Sequence, residues 1–140
     1  MPDLTSIQTT LTRLVTEGAD AVRIAQLAAS TWRDIDAALS RIIGQRGVAA
    51  LYKRSLHLTH GRHPCLTAVY EGKLEPGDFA ALQTALSQQT SQNAAAAHGA
   101  LLQAFYDLLV HLIGASLTQQ LLRSVCNPHT SGDAAQDTTP

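Results

Sequence analysis

Apolar residues in this chain return every three or four positions, and long runs of strict alternation are absent. That period belongs to the α-helix, so the pattern predicts an all-α fold with no sheet. Its strongest stretch is AAAAHGALLQAFYDLLVHLIGA, which predicts a central helix over 94–113. Leu101, Leu102, Phe105, Leu108, Leu109, Leu112 and Ile113 form one thick ridge at helical spacing. Gln103, Asp107 and His111 sit four residues apart and share a narrow polar stripe. A helix this apolar needs neighbours on most sides, so it is expected to be the core of a bundle, the seam of an oligomer, or both.

Other segments repeat the pattern less densely. Leu4, Ile7, Leu11, Leu14 and Val15 predict a first helix over 3–17, stopped by Gly18. Asp20 can cap a second helix over 21–43, in which Trp32, the only tryptophan, reads as a core anchor. Gly44 and Gly47 predict a tight corner before a third helix over 48–58. Pro64 biases His63 away from helix, and LTAVYEGKL (66–74) reads as loop with room for a helical turn. Asp78 reads as the cap of a fourth helix over 79–89. Gly114 and the S-x-x-Q form at 116–119 predict a break and a short helix over 117–125. Two endings echo each other: Arg41-Ile-Ile-Gly44 and His111-Leu-Ile-Gly114 each close a long apolar helix before a shorter one. The last residues, NPHTSGDAAQDTTP (127–140), have no apolar face and are expected to be a disordered tail. The expectation is one compact bundle of about five helices over 1–126.

Composition sharpens this picture at three points. The 140 residues fit one domain that needs no staples. Charged residues are only 15% of the chain, and between 79 and 122 the sole formal charge is Asp107. Exposed helices usually carry several charges, so self-association into a homo-oligomer such as a dimer is expected. The start of the chain lacks the basic and apolar regions of a signal peptide. His98, Gln103, Asp107, His111 and Ser116 interrupt the most apolar window, so no membrane span is expected and the chain reads as cytoplasmic. Cys65 and Cys126 then read as free thiols.

The formal net charge of −1 hides a split. From Ala37 to Tyr70 there is no Asp or Glu, while Arg41, Arg46, Lys53, Arg54 and Arg62 lie there. That interval is +5, and the remainder, with five basic and eleven acidic residues, is −6. One-sided charge of this kind marks a candidate site for an anion or an acidic partner, built from Arg41, Arg46, Lys53, Arg54, His57 and Arg62. The alternative is a solvated basic face answered by acids from neighbouring helices. Few cations, few aromatics and a pI near 6.6 argue against nucleic acid.

The same interval holds His57, His60, His63 and Cys65. Imidazole and thiolate are ligands for zinc and similar metals, so these four form a candidate metal set. Their spacing matches no structural zinc motif, and Arg62 stands among them.

His98, in AAAAHGALL, is similar to the reactive histidine of histidine phosphotransfer domains, which are helical bundles of this size. The resemblance implies a phosphoacceptor role for His98. The sequence departs from that pattern directly after it, with Gly99, Ala100, Leu101 and Leu102 where a Lys and a small residue belong. Asp107 and His111, at i and i+4, have the spacing of an oriented base, or of a stripe that meets solvent. No Walker loop, dinucleotide fingerprint, G-x-S-x-G or H-E-x-x-H is found, and no cofactor is expected. The sequence therefore points to a non-enzymatic interaction or regulatory module with a basic segment over 41–63. Phosphotransfer, or ligand or metal binding, is the alternative.

Overall fold

The computed structural model describes residues 13, 15, 16, 18, 20–72 and 75–126. Among them the fold is all-α, as the periodicity predicts: α1 (Ala21–Thr59), α2 (Cys65–Glu71), α3 (Ala80–Ser87), α4 (Ser91–Ile113) and α5 (Ala115–Cys126). The expected helix over 3–17 lies mostly outside the described residues; Arg13, Val15 and Thr16 are helical. The expected tail over 127–140 lies wholly outside them.

α1 is bent. Gly44 takes φ 80° and ψ 160°, which divides it into arms 21–43 and 45–59. This backbone region is open essentially to glycine alone. In an unbroken helix Trp32 and Tyr52 would stand about 30 Å apart. Their rings meet edge to face with centroids 4.9 Å apart, so the second arm folds back along the first. The predicted four-residue corner is thus a single residue, and Gln45, Arg46 and Gly47 already belong to the second arm.

The second break repeats the first. Gly114 takes φ 91° and ψ 155° and separates α4 from α5. α4 has 23 residues, the length of arm 21–43. Each long helix opens on a side-chain cap three residues upstream of its bonded amide: Asp20 accepts from the Arg23 N–H at 2.9 Å, and Thr90 from the Asn93 N–H at 3.1 Å. Moving from 44 to 114 shifts the numbering by 70. At that shift most buried positions coincide, among them Ile24 with Ala94, Ala28 with His98, Trp32 with Leu102, Ile35 with Phe105, Leu39 with Leu109, and Val48 with Thr118. The echo in the sequence is therefore a repeated bent-helix unit.

The two units lie side by side. Gly77 sits beside the Asp36 carboxylate and Phe79 against Trp32, so the chain entering α3 descends arm 21–43 toward its amino end. Residues 88–90 reverse it, spanning at most about 14 Å. α4 then runs along arm 21–43 in the same direction and brings Phe105 to Trp32, centroids 4.9 Å apart. Gly44 and Gly114 consequently lie toward the same end of the bundle. Trp32, fully buried, is the hub that joins both arms of α1, the lead-in to α3, and α4.

Three expectations change. Residues 66–74, read as loop with room for a helical turn, contain most of α2, a full seven-residue helix, because Leu66 and Val69 face the core three residues apart. α4 starts at Ser91 rather than Ala94, since Thr90 supplies a cap. The S-x-x-Q form at 116–119 is not a capping box: α5 already begins at Ala115, and the Thr118 hydroxyl donates to the Gly114 carbonyl at 2.7 Å.

α4 is also less enclosed than its composition implies. Leu101, Leu102, Phe105 and Leu109 are buried, but Gln103, Asp107, His111 and Leu112 are exposed. Among the described helices it alone is long and apolar enough to cross a membrane, with mean hydropathy 1.3 over its most apolar window. Its division into a buried ridge and an exposed polar stripe is that of a bundle helix.

Candidate functional site

Arm 45–59 is strongly two-sided. Val48, Tyr52, Ser55, Leu56 and Thr59 are buried. The buried hydroxyls are satisfied locally: Ser55 donates to the Leu51 carbonyl and Thr59 to that of Ser55, both at 2.7 Å. At 100° per residue, Arg46, Lys53, His57 and His60 fall on one stripe about 60° wide on the opposite side. Arg46, Lys53, Arg54 and His57 are exposed, and His60 is half-buried. Arg41 and Arg62, at the two ends of the segment, are exposed too.

The acids of neighbouring helices do not answer these charges. Among the described residues, none of Arg41, Arg46, Lys53, Arg54 and Arg62 makes an ion pair or a side-chain hydrogen bond.

At the end of the stripe, α2 meets the arm. The Tyr70 hydroxyl is 3.1 Å from His57 Nδ1, and the Thr67 hydroxyl 3.3 Å from His60 Nδ1. Tyr70 stacks on His60 at 4.8 Å with the planes 10° apart, and its ring lies 5.5 Å from that of His57. With the hydroxyls donating, each neutral imidazole carries its proton on Nε2 and keeps an N–H to offer; a charged ring donates from both nitrogens. The cluster thus adds oriented donors to the free cations of the stripe. Sequence reasoning missed Thr67 and Tyr70 as parts of this site. The available signal was their three-residue spacing, offset by one from that of Leu66 and Val69.

The four-residue metal set does not assemble. His57 and His60 stand with ring centroids 6.0 Å apart, but among the described residues no three His, Cys, Asp or Glu side chains group as a metal site. Burial pushes the Cys65 thiol up, which disfavours the thiolate a metal needs. Cys65 instead edges a shallow groove of about 440 Å³ between α2 and α3, bordered by Ala68, Ala81 and Ala85.

His98 is fully buried and neither ring nitrogen has a hydrogen-bond partner. Desolvation holds its pKa down at about 4. A phosphoacceptor must be reached by its donor, and this ring is wholly enclosed. Asp107 and His111 do not form an oriented base either. His111 Nδ1 meets the Asp107 backbone carbonyl at 2.8 Å, while the carboxylate accepts from Gln103 Nε2 at 3.0 Å. The stripe meets solvent.

No family model, curated protein or solved structure matches this chain.

Proposed function

We propose that the protein is a non-enzymatic interaction module that takes an acidic partner on the outer face of arm 45–59 and the turn after it. One observation supports this reading: five cations lie along an acid-free stretch of sequence, and none makes an ion pair among the described residues. Unpaired surface cations leave a positive field that steers and orients an acidic ligand. His57 and His60, held by Tyr70 and Thr67, give the end of that face fixed hydrogen-bond donors. Binding of an acidic segment there is weakened by salt, because the contacts are exposed. Self-association, expected from the low charge of 79–122, is a separate reading, and this proposal rests on the basic face alone.

A labelled oligo-glutamate peptide tests it against the full chain. The double variant Lys53→Glu/Arg54→Glu is expected to bind at least about tenfold more weakly. Both side chains are exposed, so the thermal midpoint should stay in place. Equal affinity in variant and parent retires the proposal.

A further inference from the structure

The two glycine corners share an end of the bundle, and that end has a surface of its own. Five large apolar side chains are exposed among the described residues: Val22, Ile42, Leu58, Leu112 and Leu117. Three of them flank the corners. Ile42, 53% exposed, and Leu112, 58% exposed, occupy equivalent positions two residues before Gly44 and Gly114. Leu117 follows three residues after the second glycine. Isolated apolar residues on a surface need no explanation, but the same exposed position filled twice at one end does.

The charge around them is of one sign. Arg41 and Arg46 flank the first corner, exposed and without ion pairs. Neither 37–70 nor 108–126 contains a carboxylate side chain, so each corner is free of acids along its own segment. A helix corner also projects rather than recedes. A projecting apolar tip with two arginines beside it suits a broad, deformable anionic surface better than a peptide, which needs a groove or a sheet edge to lie in.

We propose that this end of the bundle docks on anionic phospholipid, with Ile42, Leu112 and Leu117 seated at the boundary between headgroups and acyl chains and Arg41 and Arg46 on lipid phosphates. The attachment is peripheral. A few apolar side chains and two arginines give reversible binding that needs both contributions. It shares Arg41 and Arg46 with the acidic-partner face, while Lys53, Arg54 and the two histidines lie farther along arm 45–59.

Vesicle flotation of the full chain tests it. Co-flotation is expected with mixed phosphatidylglycerol and phosphatidylcholine vesicles at low salt, and not with phosphatidylcholine alone. The variant Ile42→Ser/Leu112→Ser should lower partitioning by about tenfold or more. Its far-ultraviolet dichroism and melting should match the parent, since both side chains are already in water. Lys53→Glu/Arg54→Glu should still float, which separates this proposal from the preceding one. The idea is overturned if the parent ignores anionic vesicles, or if the serine variant floats as well as the parent. It is equally overturned if those serines abolish binding of an oligo-glutamate peptide while flotation is unchanged.

Discussion

Residues 20–59 and 90–126 follow one local pattern and present different chemistry. Each begins at a side-chain cap, runs through a long helix, turns at a glycine of nearly the same φ and ψ, and continues as a second helix. Inside, the first unit places Trp32 where the second has Leu102, and Ala28 where the second has His98. Outside, the first carries Arg46, Lys53, His57 and His60 on its returning arm. At the same shift of 70 the second unit has an exposed Ser116 in place of Arg46. What the two share is backbone geometry and buried periodicity, the properties that make a bent helix. What they do not share is the outward stripe, which contributes little to folding and is free to acquire a function.

The comparison breaks most sharply at His98. An unfolded chain takes a proton on this imidazole below about pH 6.5, whereas the buried ring does so only below about 4. Between those values the unfolded state binds more protons, so stability falls as pH falls through that window and is flat above it. The full effect is on the order of 3 kcal/mol. Between pH 6.5 and 5 most carboxylates are still ionised, so denaturant titrations there isolate the histidine. His98→Leu should remove the slope. A slope that survives the substitution would assign the acid sensitivity to another group.

The two glycines come next in size. An alanine at Gly44 or Gly114 would find no heavy atom within 4 Å of its Cβ. Space is therefore not the obstacle; the positive φ with extended ψ is. Each substitution should cost about 1–3 kcal/mol in urea denaturation. Similar costs at both positions would sharpen the equivalence of the units. A neutral result at one would show that its corner relaxes into ordinary helix, and the pairing of the two bends would be lost.

These cases also show what could be read from the residues in advance. The long helices were legible because Leu101, Leu102, Phe105 and Leu109 keep a 3.6 period over many turns, and the bends because Ile-Gly ends both. α2 was not legible. Seven residues are too few for a period to declare itself, and Pro64 before them argues for loop. The site suffered for that reason. His57, Lys53 and Arg54 could be named from charge alone, but Tyr70 and Thr67 join them only once α2 exists to carry both hydroxyls to the histidines. The metal set failed on the same point, because chain proximity of His57, His60, His63 and Cys65 says nothing about whether their ligand atoms converge.

The smallest expected effect tests the two beginnings. Asp20 and Thr90 each accept the backbone N–H three residues on, satisfying one of the amides that a helix start leaves open. Asp20→Ala and Thr90→Ala should each cost about 1 kcal/mol. The carboxylate should lose slightly more than the hydroxyl, because it also meets the positive end of the helix dipole. That excess should shrink in high salt, whereas the hydrogen-bond part should not. If Thr90→Ala is silent while Asp20→Ala is not, α4 is held in place by its buried ridge alone, and the likeness of the units begins one turn later than their caps suggest.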